Sequence, residues 1–214
     1  MIIHEYDVTN YDFISYFENL FECNDLHKLH EKDTLRQKFD MLNNSNTCWH
    51  DKFYKDIKNN NTFIGLYERF LNEHIATLFD EKFIFQKTPT LRVHLVDNWA
   101  TPEFHVDTQD GYNHPPGENN FILPLTRCYG SNTVWVETEP NKGDYTPVVV
   151  EPGQVFQFSG GTLRHGNKIN NTNETRISFD FRVMPLSKYD SKYPKTSATK
   201  KIKFIIGDYY RELE

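Results

Sequence analysis

The apolar residues change period near residue 85. Before it they recur at helical spacing: Phe13, Phe17 and Leu20 follow Thr9 and Asn10 as candidate caps, and Phe63, Leu66, Phe70, Leu71, Ile75, Leu78 and Phe79 form a stripe behind Thr62. A further helix is predicted across 25–39, and the asparagine-rich stretches 43–46 and 59–61 read as loops. From residue 82 onward, short runs of branched and aromatic residues alternate with Pro, Gly and Asn, which predicts strands near 83–86, 90–96, 103–106, 121–126, 132–137, 147–150, 154–158 and 175–184. Eight such strands suffice for two four-stranded sheets, so the pattern is that of an all-β sandwich or jelly roll behind a helical section. The expected organisation is a single domain over 1–214, with helices in 1–81, a β core in 82–186 and a C-terminal extension in 187–214. Within that extension, 187–201 reads as an exposed connection before a terminal element at 203–210.

The strand at 175–184 carries a sharper signal. Ile177, Phe179, Phe181 and Val183 share one face, while Arg176, Ser178, Asp180 and Arg182 share the other. Either solvent lies on the polar side, or a polar cavity lies there and the N-terminal helices cover the apolar side.

Composition narrows the class. Among 214 residues, 17 Phe, 12 Tyr and 3 Trp supply large rings for a core, which argues for a folded globule. Twenty-four basic against 30 acidic residues give a net charge of −6, which removes the electrostatic drive for binding a nucleic-acid backbone. No stretch approaches the roughly 18–20 apolar residues of a membrane span. The start lacks the basic and apolar regions of a signal peptide, so a cytoplasmic setting is expected. Cys23, Cys48 and Cys128 form no paired motif, and are expected as small buried hydrophobes.

The candidate chemistry begins at His105 and Asp107. Two residues apart on a strand, they point to one face and can meet one ion. His165 lies 58 residues beyond Asp107, inside the run Gly160-Gly161-Thr162-Leu163-Arg164-His165-Gly166. Two imidazoles and one carboxylate on one side of an ion leave positions open, the arrangement of non-haem Fe(II) oxygenases, whereas a closed zinc site would need a fourth ligand. Arg176 and Ser178, on one face of the next strand, can hold a carboxylate by a forked ion pair and a hydroxyl hydrogen bond. A 2-oxo acid would then chelate iron at one end and rest on Arg176 and Ser178 at the other, leaving a position for O2.

This set, H-x-D…H…R-x-S, resembles the Fe(II)/2-oxoglutarate-dependent dioxygenases. The stretches 104–107 (FHVD), 118–125 (ENNFILPL), 131–137 (SNTVWVE) and 176–183 (RISFDFRV) look like the StrG-type branch linked to streptomycin biosynthesis. The resemblance covers roughly residues 90 to 186. It implies a cupin-like double-stranded β-helix with helices packed on one sheet, Fe(II) on His105, Asp107 and His165, and 2-oxoglutarate on Arg176 and Ser178. The reaction it implies couples oxidative decarboxylation of 2-oxoglutarate, to succinate and CO2, with oxidation of a substrate. Asp107 stands where the halogenating branch has a small residue, which disfavours halogenation.

Other candidates carry two readings each. Asn132 can donate to the near carboxylate of the oxo acid, with Thr133 beside it, and Asn167 can donate to a bound carboxylate or simply shape its turn. Arg92 and His94 either line the cavity or form a structural pair. Trp135 is expected in the core, His114 as a loop residue, and 110–117 as a lid. The five N-terminal histidines, His4, His27, His30, His50 and His74, lack metal-type spacing. The expected activity is hydroxylation of a small polar metabolite or a sugar- or cyclitol-type compound, with no nucleic-acid or membrane partner. A non-catalytic cupin-like binding domain and a peptide or protein hydroxylase stay open as alternatives.

Overall fold

In the computed structural model, residues 1–32, 47–100, 103–198 and 201–213 are described. The described chain runs β1 (Ile2–Glu5), α1 (Phe13–Phe21), a 3-10 turn (Leu26–Lys28), α2 (Leu29–Lys32), α3 (Cys48–Asn59), α4 (Thr62–Glu73) and a second 3-10 turn (Ile75–Leu78). It continues through β2 (Phe83–Gln86), β3 (Thr90–His94), β4 (Asn119–Pro124), β5 (Val134–Val136) and β6 (Thr146–Pro147). It then passes β7 (Gln154–Phe158), β8 (His165–Asn167), β9 (Arg176–Pro185), a third 3-10 turn (Leu186–Lys188) and β10 (Tyr210–Glu212).

The strands form a seven-stranded sheet, ordered β1-β7-β4-β9-β2-β10 with β3 also on β9, and a three-stranded sheet ordered β6-β5-β8. All pairs are antiparallel. The ten-residue β9 is the axis of the larger sheet. It carries β4 along one side, and on the other β3 over its first half and β2 over its last residues.

That central position settles the two faces of β9. Ile177, Phe179, Phe181 and Val183 are fully buried beneath the helices. Phe13 of α1 meets Phe179 edge-on at 5.0 Å, and Phe63 and Tyr67 of α4 reach Phe179 and Phe181 at 5.5 and 5.4 Å. Burial of such rings is the main driving force available to a chain of this composition. On the opposite face Arg176, Asp180 and Arg182 line a cavity.

Several local expectations are corrected. Asp12, not Thr9 or Asn10, caps α1, because Asp7 already engages Thr9 in the preceding turn. The stripe behind Thr62 is α4 followed, after His74, by a 3-10 turn. Helix α3 was not predicted; its apolar positions Trp49, Phe53 and Ile57 are spaced helically but interrupted by charges, and Thr47 caps it. Of the predicted helix 25–39, residues up to 32 form a 3-10 turn and α2, while 33–39 and the loop at 43–46 lie outside the described residues. Stretch 103–106 contributes only a bridge from His105 to His165, and 147–150 is reduced to β6 and a bridge at Val150. The edge strand β1 was also missed, since four residues with exposed isoleucines show no alternation. Cys23 and Cys128 are buried, but Cys48 is exposed at the start of α3. No helix among the described residues is long and apolar enough to cross a membrane.

Candidate metal centre and anion site

Main-chain hydrogen bonds stitch together the two segments that carry the candidate ligands. His105 and His165 exchange N–H···O bonds of 2.9 Å in both directions, and the Asp107 amide donates to the Gly160 carbonyl at 2.9 Å. The consequence is that one nitrogen of each imidazole and one oxygen of Asp107 lie within 4.8 Å of one another, all three residues being buried.

The hydrogen bonds around these groups select the atoms that face inward. His105 Nδ1 lies 2.8 Å from the Glu103 carbonyl and His165 Nδ1 3.0 Å from that of Leu163. A carbonyl only accepts, so each Nδ1 carries a proton, and in the neutral ring Nε2 is the nitrogen that presents a lone pair. These Nε2 atoms stand 3.3 and 3.7 Å from Asp107 Oδ1. Burial, opposed by the Asp107 charge, lowers the His165 pKa to about 4, so the ring is neutral near pH 7. Burial alone would push the Asp107 carboxyl up; the Arg182 charge, with the neighbouring histidines, brings it well below the usual range. Asp107 Oδ1 is buried and accepts no hydrogen bond. An orphaned carboxylate oxygen between two imidazole lone pairs is the donor set that a divalent ion completes, and no thiol joins it to close a zinc site.

A second unmatched group lies on the same cavity. Arg176 is buried at 2% exposure, donating from Nη1 to Ser178 Oγ and from Nη2 to Asn167 Oδ1, both at 3.1 Å. Its Nε has no partner, and no carboxylate forms an ion pair with it among the described residues. Burial lowers its pKa, the expected result for a cation moved from water without a counterion. The arrangement fits an incoming carboxylate. Ser178 is fully buried and braces Arg176 from behind, off the cavity wall; Asn167 is on the wall.

Asn132 is placed elsewhere. Its Oδ1 accepts from the Tyr129 amide at 2.8 Å and its Nδ2 faces the Arg127 carbonyl, so the amide closes a turn away from the cavity. Thr133 is buried and donates to the Val148 carbonyl. Trp135 is half-buried on the outer face of the small sheet with Lys168 Nζ over its ring, a surface site instead of the core. His94 is buried off the wall, with its nitrogens 3.1 and 2.7 Å from the carbonyls of Asn132 and Asn98, whereas Arg92 lines the cavity. Arg92 meets Asp180 through Nε–Oδ1 and Nη2–Oδ2 contacts of 2.7 and 3.0 Å, so it is both wall and pair. In the predicted lid, Tyr112 and His114 line the cavity, and His114 pairs with Glu118 at 2.8 Å.

Sequence reasoning missed Asn120 and Tyr112, and placed Arg182 on the polar face without its contact to Asp107. Asn120 and Arg182 hold the second oxygen of Asp107, and Tyr112 stacks on His105. Arg182 carried a signal, since it shares the face of Arg176; an isolated asparagine or tyrosine carries none. The whole cavity measures about 930 Å³ and is walled from both sheets and from α3.

Comparison with known proteins adds the lineage. No family model matches the chain. The fold is shared with a solved structure described as CytC3 with Fe(II) and alpha-ketoglutarate, at a TM-score of 0.52 and 13% identity over 93% of this chain and 76% of that one. A partial likeness, at a TM-score of 0.43 and 16% identity over 70% of this chain and 73% of that one, extends to the non-heme alpha ketoglutarate dependent epimerase SnoN from nogalamycin biosynthesis. The fold is thus one shared with the CytC3 structure. Within it, the sequence is 31% identical over 205 residues to the streptomycin biosynthesis protein StrG of Streptomyces griseus, across 96% of this chain and 94% of that protein. The chain belongs to the StrG family.

Proposed function

We propose that the protein is an Fe(II)- and 2-oxoglutarate-dependent dioxygenase that hydroxylates a small polar, hydroxyl-bearing molecule of the sugar or cyclitol type. One observation carries this reading. On a single cavity, a buried carboxylate oxygen between two imidazoles lacks a cation, and a buried guanidinium lacks an anion. His105, Asp107 and His165 would hold Fe(II), which would supply O2 activation coupled to decarboxylation of 2-oxoglutarate to succinate and CO2. Arg176, steadied by Ser178 and Asn167, takes the far carboxylate of the oxo acid. The Arg92–Asp180 pair offers donors and acceptors side by side, which suits hydroxyl groups. A cavity of about 930 Å³ accommodates a small molecule better than a peptide chain. In the same reading the two sheets are the halves of a double-stranded β-helix in one domain.

Anaerobic addition of Fe(II) and 2-oxoglutarate to metal-free protein is expected to give a weak visible charge-transfer band. Under O2, pools of sugars, cyclitols, amino acids and peptides would then be screened for succinate release. Absence of the band together with absence of succinate across all pools refutes the proposal.

A further inference from the structure

Asp107 is gripped in an unusual way. Asn120 Nδ2, Arg182 Nη2 and Arg182 Nε approach it at 2.7, 2.9 and 3.2 Å, and all three converge on Oδ2. Oδ1, equally buried, receives none. A guanidinium that pairs with a carboxylate for stability alone normally lays two N–H groups on two oxygens. The same cavity holds that arrangement for comparison, because Arg92 meets Asp180 one nitrogen per oxygen. Arg182 leaves half of its partner bare, at a cost to the folded state that only a ligand on Oδ1 recovers.

Arg182 is itself fixed. Glu118 Oε2 lies 3.5 Å from its Nε and 2.8 Å from His114 Nδ1, while Glu118 Oε1 accepts a hydrogen bond from the Tyr210 hydroxyl. Tyr210 belongs to β10, aligned with Gln86 of β2, and Tyr209 beside it faces Arg182 Nη1. Two carboxylates thus surround one guanidinium, so Arg182 orients Asp107 without cancelling the negative charge that a cation needs. Asp107, Glu118 and Arg182 are all nine-tenths or more buried, which keeps these interactions from being screened by solvent.

We infer that Arg182, with Asn120, is a positioning clamp that presents a single Asp107 oxygen to the metal, and that the C-terminal strand β10 is part of the site because Tyr210 and Glu118 hold the clamp. The inference rests on the metal reading given above.

Metal-free wild type, Arg182→Met, Arg182→Lys and Tyr210→Phe would be titrated anaerobically with Co(II), following its visible spectrum, alongside circular dichroism to establish folding. Wild type is expected to bind Co(II). Arg182→Met should weaken binding by about 10–100-fold, the usual consequence of losing a ligand's supporting partner. Its Co(II) spectrum should also change, since both Asp107 oxygens become free to coordinate. Arg182→Lys keeps the buried charge and the fold but cannot reproduce the fork, and should fall between. Tyr210→Phe should weaken binding by about 2–10-fold through a single hydrogen bond remote from the ion. Should Arg182→Met fail to fold, the lysine and phenylalanine variants decide. Wild-type affinity and spectrum in both overturn the clamp; failure of wild type itself to bind Co(II) overturns the metal reading, and the clamp with it.

Discussion

The rings of His105 and Tyr112 lie face to face, their centroids 3.8 Å apart and their planes 4° from parallel. Together with the Nδ1 contact to the Glu103 carbonyl, this stack fixes the direction of His105 Nε2. A stack of this kind contributes about 0.5–1.5 kcal/mol. Tyr112→Leu is therefore expected to weaken divalent-metal binding severalfold, and Tyr112→Phe to leave it unchanged, both read by metal titration. Equal affinities for wild type and Tyr112→Leu would remove Tyr112 from the site.

Gly160 is a close approach, and its consequence reaches Asp107. A Cβ there would stand 2.5 Å from Asn120 Nδ2, the atom that donates to Asp107 Oδ2. Gly160→Ala is expected to displace that amide and to reduce metal affinity by about tenfold or more. Gly65, on the exposed side of α4, has nothing within 4 Å of the same added carbon. Gly65→Ala should instead stabilise the protein by about 0.5–1 kcal/mol in urea unfolding.

Arg176 separates binding from folding. As a buried cation without a counterion it adds little to the stability of the ligand-free protein, so Arg176→Met should leave metal binding intact and unfolding free energy within about 1 kcal/mol of wild type. Affinity for 2-oxoglutarate, measured calorimetrically with Mn(II) present, should fall by about 10–100-fold for loss of a charged hydrogen-bonded contact. A parallel loss of metal would contradict this division.

Two buried histidines away from the ligand set make the fold acid-sensitive. Burial, then the charge of Arg92, lowers the His50 pKa to about 4, and burial, then Arg176, lowers that of His94 to about 3, from 6.5. Above 6.5 both rings are neutral folded or unfolded. Between 6.5 and about 4 only the unfolded chain takes up these protons, so stability falls as pH falls through that window. Asp107 acts in the same sense over a lower range: its depressed pKa favours the folded state above its ordinary value of 3.8, and that contribution is lost as pH falls below it. The thermal midpoint of metal-free protein should drop between pH 6.5 and 4.5, and more shallowly in His50→Gln. A flat profile would refute it.

The helical cover has its own test. Phe179 is fully buried against Phe13, Phe63 and Tyr67. Phe179→Ala should cost about 3–5 kcal/mol in chemical denaturation through lost contacts and a cavity that neighbours cannot fill.

What was legible in the sequence follows from what is local. The alternation of β9 told its two faces apart, since side-chain direction in a strand depends on position alone, and the ring-rich stripes marked α1 and α4 as covers. His105, Asp107, His165 and Arg176 were recognisable because their residue types and spacing are restrictive. Helix α3 and strand β1 were not, because one is diluted by charge and the other lacks a polar counterphase.

The amino-acid order therefore determined which side chains are candidates for the chemistry, and which face of the central strand Arg176 and Arg182 share. Tertiary structure alone decided the partners: Asn132 turned into its own loop, Ser178 behind Arg176, Tyr112 onto His105, and Asn120 with Arg182 onto one oxygen of Asp107. Residue type and strand periodicity are properties of neighbours in the chain. The direction in which a buried carboxylate points is set by donors 13 and 75 residues away, which meet it only after the sheets have paired.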